Sequence, residues 1–161
     1  MIHRPLSRRR GAVALEAAIV YPILFFLVLA LIIGGVGVSR YQQVALLAQE
    51  ASRWTCVRGA GWEKDSNSPP LTVSQIREEV VLPMSVGLDP NKLTVAADWI
   101  NGVTGDVVPW DSSNRKPTTP NSNQDQVANR IRVTITYLWS PPFLLGGTFK
   151  LQSVCEIPMV W

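Results

Sequence analysis

Residues 17–38 carry no charged side chain. As a helix such a run is about 33 Å long, enough for a hydrocarbon core of about 30 Å. It ends without a turn signal. Ser39-Arg40-Tyr41-Gln42-Gln43 is polar but holds no proline or glycine. Beyond it Val44, Leu47, Ala48, Ala51 and Trp54 recur at helical spacing. The pattern predicts one continuous helix that leaves the apolar medium and becomes amphipathic, ending at Gly59-Ala60-Gly61. Gly34, Gly35 and Gly37 mark a softer zone within it.

The polar positions that follow predict a small sheet. Residues 63–71 (EKDSNSPPL) read as a loop. Thr72 and Gln75 form a capping-box pattern before a short helix that Pro83 stops. Leu93, Val95, Ala97 and Trp99 alternate as one face of a strand. Residues 101–129, rich in Asn, Ser, Pro, Gly and Asp, predict a long mobile loop. Residues 130–138 alternate again, with Ile131, Val133, Ile135 and Tyr137 inward. Ser140-Pro141-Pro142 breaks that strand and Gly146-Gly147 turns the chain. A last strand covers 148–161, with Phe149, Leu151, Cys155 and Ile157 on one face. Pro158 marks an irregular end or a sheet edge. The class is α+β: a long N-terminal transmembrane and amphipathic helix packed on a small antiparallel sheet, in a single-pass membrane protein.

Charge sets the orientation. Of 15 Lys/Arg, Arg4, Arg8, Arg9 and Arg10 precede Gly11, and of 12 Asp/Glu only Glu16 does not follow Ser39. The remainder balances, so the basicity is topogenic and not a nucleic-acid patch. By the positive-inside rule the N-terminus is cytoplasmic and the C-terminal domain is exported. The apolar run exceeds the usual 7–15 residues of a signal peptide and lacks an Ala-x-Ala site, which favours a retained span. Both cysteines, Cys56 and Cys155, fall in the exported part, where an oxidising compartment permits a disulfide. Cys56 sits about 100° off the apolar stripe, which weakens that pairing.

Enzyme signatures are lacking. The single histidine is His3, there is no metal-ligand spacing, and no nucleophile or phosphate-binding motif occurs. Asp98, Asp106, Asp111 and Asp125 lack the calcium-loop pattern and read as solvated acids. No cofactor, metal, small-molecule substrate or catalytic residue is expected.

The informative stretch is Arg8-Arg9-Arg10-Gly11-Ala12, with Glu16 five residues after the glycine and the uncharged run behind it. This resembles the processing site of type IV-like prepilins. The similarity is closest to TadE-like pseudopilins of Tad/Flp pili. It also takes in Leu15-Glu16-Ala17-Ala18-Ile19-Val20-Tyr21-Pro22-Ile23-Leu24, the Ala-rich residues 45–53 and the strand pair separated by Pro141-Pro142. Major pilins of these systems tend to carry tyrosine after the glutamate and are much shorter; here that position is Ala17. Both departures favour a pseudopilin over the main filament subunit.

The resemblance implies a bacterial inner-membrane precursor with a cytoplasmic leader over 1–11, a transmembrane helix over 12–38 and an extracytoplasmic pilin-like domain over 39–161. It implies a prepilin peptidase that cuts between Gly11 and Ala12, and partners among other pilin-like subunits and membrane lipid. Cleavage would free the α-amine of Ala12, to which Glu16 of a neighbouring subunit can pair, with self-pairing in competition. Pro22 would loosen the helix near this site. Most of the six tryptophans read as core or rim anchors, with Trp110 and Trp161 as candidate exposed contacts for other subunits. The rival class is an unprocessed single-pass membrane protein with an extracytoplasmic binding or sensing domain.

Overall fold

The computed structural model describes residues 7–142 and 147–160. Helix α1 runs unbroken over Ser7–Cys56. The chain divides into two compact units, Met1–Val38 and Ser39–Trp161. In the first, no described side chain of the helix is buried. Large apolar side chains from Val13 to Val38 lie exposed, including Tyr21, Phe25, Phe26 and Leu31.

The second unit is built on a sheet of order β2-β1-β5-β6, antiparallel throughout. Its strands are β1 (Leu93–Ile100), β2 (Val107–Pro109), β5 (Arg130–Trp139) and β6 (Phe149–Pro158). A separate hairpin joins β3 (Thr118–Pro120) to β4 (Gln126–Ala128). The period-2 reading of β5 holds. Ile131, Val133 and Ile135 are fully buried and Tyr137 nearly so, while Arg132, Thr134 and Thr136 face the other way and stay half-exposed. Pro158 ends β6, which is an edge strand, where a missing N–H costs no ladder bond to a further strand.

The outer part of α1 buries Val44, Leu47, Ala48, Ala51, Ser52 and Thr55 in the core of this unit. These positions follow the 3.6-residue period, but the stripe differs from the apolar one read in the sequence. Ser52 and Thr55 belong to it because their hydroxyls bond back to the carbonyls of Ala48 (2.8 Å) and Ala51 (2.7 Å). A buried hydroxyl so satisfied loses little on leaving water. Trp54, counted in the apolar stripe, is only half-buried. Ser52 Oγ also donates to the carbonyl of Cys155 (3.3 Å), tying the helix to β6.

Three expectations need correction. Helix α1 ends at Cys56, before the glycines, and Gly59 instead precedes a second helix, α2 (Ala60–Ser66). Thus Glu63 to Ser66 are helical, and the loop starts at Asn67, which caps α2 in the left-handed region at φ 50°. Helix α3 spans residues 73–84. Its capping box from Thr72 to Gln75 forms as read. The middle of α3, Ile76–Val81, is wound as a π-helix, and the Leu82 N–H reaches back five residues to the Arg77 carbonyl. A proline ring clashes with the carbonyl four residues behind it in an α-helix. The wider turn gives Pro83 room, and the helix ends at Met84, one residue past it.

The third correction concerns residues 101–129, read as a mobile loop. They contain β2, a 3₁₀ turn (Trp110–Ser112) and the β3–β4 hairpin. Two side chains organise them. Trp110 is fully buried, and its Nε1–H donates to the Leu71 carbonyl at 3.0 Å. Its expected role as an exposed contact is therefore wrong; Trp161, the other such candidate, lies outside the described residues. Asn129, also fully buried, accepts from Gly102 N–H (2.8 Å) and Thr119 Oγ1 (3.0 Å) and donates to the Lys116 carbonyl (2.9 Å). Its backbone N–H donates to Pro117, and its carbonyl accepts from Met159.

Asn129→Leu keeps the branched shape but removes hydrogen bonds from part-buried groups on three segments, at Gly102, Lys116 and Thr119. It should destabilise the protein by about 3 kcal/mol, read as a lowered denaturant midpoint in tryptophan fluorescence of the detergent-solubilised full chain. A midpoint within error of the parent would contradict this role.

Candidate membrane and assembly segment

Gly11 lies within α1 and is exposed. A Cβ built there meets no described atom within 4 Å beyond its chain neighbours and the helix's own backbone. Neither space nor backbone conformation demands glycine, and glycine inside a helix costs about 1 kcal/mol relative to alanine. Folding therefore gives no reason for Gly11. The Ala12 side chain lies outside the described residues.

Glu16 follows Ala12 by one helical turn and is exposed on α1. Among the described residues it has no hydrogen-bond or ion-pair partner. It is flanked by exposed Val13, Leu15 and Ile19. Pro22 sits inside the same helix. Its missing N–H leaves the Ala18 carbonyl without the usual donor four residues on, which loosens the helix just past the acid. Among the described residues, α1 is the one helix long and apolar enough to cross a membrane. Its most apolar stretch has no burial within the chain. An apolar surface of this extent needs lipid or other helices around it.

The second unit carries the cysteines and a set of charged and aromatic clusters. Both thiols are free, so the candidate disulfide is not formed in this structure. Cys56 is buried at the end of α1, and its Sγ–H donates to the Arg53 carbonyl (3.1 Å). Burial pushes this thiol above its ordinary pKa. Cys155 is half-buried on β6, opposite Val133. The helix contact made by its carbonyl is with Ser52, one turn before Cys56, while the Cys56 carbonyl accepts from Val160 N–H, beyond β6.

On the outer face of the sheet Glu156 pairs with Arg130 (3.1 Å) and Arg132 (3.0 Å), and these guanidiniums hold its carboxyl below the usual range. The pairs are solvent-exposed and fix the β5–β6 register only weakly.

One cluster escaped the sequence reading. The Arg58 guanidinium lies 3.9 Å from the Trp54 ring centroid and 5.5 Å from that of Trp62. It also donates to the Trp54 carbonyl (3.1 Å). The Trp-x3-Arg-x3-Trp spacing was visible, but the break between α1 and α2 hides that both rings can reach one cation. Nearby, Arg115 is buried against Trp110 (5.6 Å) and pairs with Glu63 at 3.4 Å. That pair pins α2 to the segment after the 3₁₀ turn. Among the described residues no three His, Cys, Asp or Glu side chains gather as metal ligands would.

Residues 11–53 match the family model described as TadE-like protein. The match begins at the glycine and ends on the amphipathic part of α1. Searches of the curated proteins and of the solved structures found no match.

The free thiols carry a chemical expectation. Peptide mapping without reductant should recover Cys56 and Cys155 unlinked. Maleimide should modify Cys155 faster than Cys56 in the folded protein, because the thiolate is the nucleophile and Cys56 is both buried and raised in pKa. A linked Cys56–Cys155 peptide, or faster labelling of Cys56, would contradict the arrangement.

Proposed function

We propose, taking the TadE-like segment of this chain as premise, that the protein is a minor pilin-like subunit processed after Gly11 and assembled through α1. The match of residues 11–53 to the TadE-like model supports a place among Tad pilus-associated, pilin-like proteins. The observation that carries the finer reading is a glycine with no folding role, five residues before an acid, on an apolar helix that the chain leaves uncovered.

The chemistry follows from what cleavage would create. A prepilin peptidase cutting on the cytoplasmic side needs the backbone drawn out of the helix and into its cleft. Glycine lowers the cost of that unwinding and puts no side chain in the way. The product starts at Ala12, whose α-amine has a reference pKa of about 7.7–8.0 and is cationic at neutral pH. Helix α1 would then begin with free N–H groups and a positive dipole end, and Glu16 would stand in its first turns. The precursor offers the acid no such environment: its first helical turn holds no acidic residue, and Glu16 lies nine residues inside.

An acid at the centre of a bilayer costs about 2.5–3.5 kcal/mol on insertion scales. Glu16 is nearer the boundary and costs less, and a cationic partner reduces the cost further. Pairing with the Ala12 amine of a neighbour would fix axial register between subunits; pairing with its own amine would compete. The exported sheet unit then offers surface to other components. The rival reading is an unprocessed membrane protein with a binding or sensing domain. The continuity of α1 through Gly11 is the observation in its favour.

The mature N-terminus separates the two readings. Intact-mass analysis of membrane-extracted protein, from cells with a cognate peptidase, should find a chain starting at Ala12. A chain that retains Met1 under those conditions would overturn the proposal. For the pairing step, Glu16→Ala should leave cleavage intact and lower co-purification of pilin-like subunits about tenfold, as loss of a desolvated ion pair does. Undiminished recovery of those subunits would exclude the pairing.

A further inference from the structure

The four-stranded sheet has two unlike edges. At one, β2 is three residues long and ends in Pro109. At the other, β6 runs ten residues, Phe149–Pro158, and among the described residues no strand pairs with its outer side. A long bare edge is a template for another strand, and proteins protect such edges with lysine, proline or short length. Lys150 and Pro158 stand near the two ends of β6, and the residues between them include neither type.

The ladder fixes which backbone groups of β6 are open. Met159 N–H donates to the Asn129 carbonyl at 2.8 Å, one step beyond the Arg130–Pro158 pair. Bonded residues alternate along an antiparallel pair. The odd-numbered residues of β6 therefore turn their N–H and C=O groups to β5. Lys150, Gln152, Val154 and Glu156 turn theirs outward, and all four are exposed. Pro158 shares their parity, so its missing N–H also falls on the open side.

A second β6, laid antiparallel on this edge, has few registers to choose from, because outward residues must meet outward residues. Centring the pair on Ser153 sets Lys150 opposite Glu156 of the second copy, and Gln152 opposite Val154. On the inner face Leu151 meets Cys155 and Phe149 meets Ile157. Leu151, Cys155 and Ile157 are only half-buried in one copy, and Phe149 is exposed. Pro158 falls opposite Thr148, outside β6, and no ladder bond is lost. Moving the centre to Val154 sets Pro158 opposite Lys150 at a bonded position and loses a bond at each end. Moving it to Gln152 sets Lys150 opposite Val154, and Leu151 opposite Ser153. Charge, apolar match and proline position select the register centred on Ser153.

The geometry points to β6 as a pairing edge for a second copy of this chain, joined antiparallel about Ser153. From Lys150 to Glu156 the two strands exchange about eight backbone hydrogen bonds. Those bonds carry the contact, and the side chains fix its register. Glu156 already bonds Arg130 and Arg132, so the added lysine sets register more than strength. A contact of this length is smaller than the about 1,200–2,000 Å² of a stable interface, so it forms where copies are concentrated. The joint depends neither on cleavage after Gly11 nor on α1 crossing a bilayer.

The test uses the detergent-solubilised full chain at high concentration. In a background of Cys56→Ala and Cys155→Ala, one new thiol is placed at Ser153→Cys or Lys150→Cys, and copper phenanthroline drives oxidation. Residues facing each other at a non-bonded antiparallel position lie about 4.5 Å apart at Cα, within disulfide reach. In the same register the two copies of position 150 stand about 20 Å apart. Ser153→Cys should therefore form disulfide dimers about tenfold faster than Lys150→Cys. Adding Lys150→Glu sets two carboxylates opposite each other and should slow linking at Ser153→Cys about fivefold. In the unmodified chain, carbodiimide treatment of ordinary protein mixed with nitrogen-15-labelled protein should yield Lys150–Glu156 cross-linked peptides of mixed isotope. Linking at Ser153→Cys no faster than at Lys150→Cys, or indifferent to Lys150→Glu, would overturn the pairing. So would the lack of a mixed-isotope Lys150–Glu156 peptide, a readout that needs no variant to fold.

Discussion

An apolar helix that its own protein leaves bare must find a second solvent. That constraint governs the first unit, where no described side chain from Val13 to Val38 is buried. Its backbone is self-satisfied, because a helix closes its hydrogen bonds internally and tolerates hydrocarbon. Its side chains are not satisfied in water. Lipid or neighbouring helices supply the missing contacts, and every feature that breaks the apolar pattern then carries a cost that wants a reason. Gly11, Glu16 and Pro22 are those features. Each weakens the helix or its solvation, and none is repaid among the described residues.

The same helix solves the opposite problem in the second unit. A small antiparallel sheet cannot bury one face on its own. Val44, Leu47, Ala48 and Ala51 enter its core, each larger side chain contributing about 1.5–3 kcal/mol of burial. Ser52 and Thr55 join them by returning their hydroxyls to the helix backbone. Substituting a charged residue at Ala48 or Ala51 would strike this unit's core, whereas the same change at Leu46, which is exposed, would not. One helix thus meets two solvents, and the change falls where its surface pattern changes.

Periodicity made most of this architecture legible. The 22-position gap in charge, the i, i+3, i+4 stripe after Gln43 and the alternation in β1 and β5 each report burial through a fixed geometric repeat. What stayed hidden lacked such a repeat. Residues 101–129 look like a loop because their order comes from individual side chains, Trp110 and Asn129, that bond to distant carbonyls. Composition counts asparagine as a turn former and cannot see that one of them is a buried hub. Ser52 and Thr55 were missed because hydropathy scores a hydroxyl as polar wherever it points. Helix α2 was missed because it is short and is held partly by the Arg115–Glu63 pair, a contact between segments far apart in sequence.

The candidate site stood out for a different reason. Gly11 and Glu16 were singled out as an exception to the pattern around them and by a motif, not by periodicity. Structure sharpened that exception for Gly11: in a helix with open space around its Cα, alanine would fold better. A residue retained against local folding preference points to a requirement outside the fold, met at another time or by another molecule. Here the requirement fits a backbone that must leave the helix once, at a peptidase, before the helix takes up its place among others. On the same proposal the Glu16 carboxylate would gain the Ala12 amine as a nearby cation once the leader is removed. On that proposal the two residues are linked by chemistry and not by contact, consistent with their place on one helix, five residues apart.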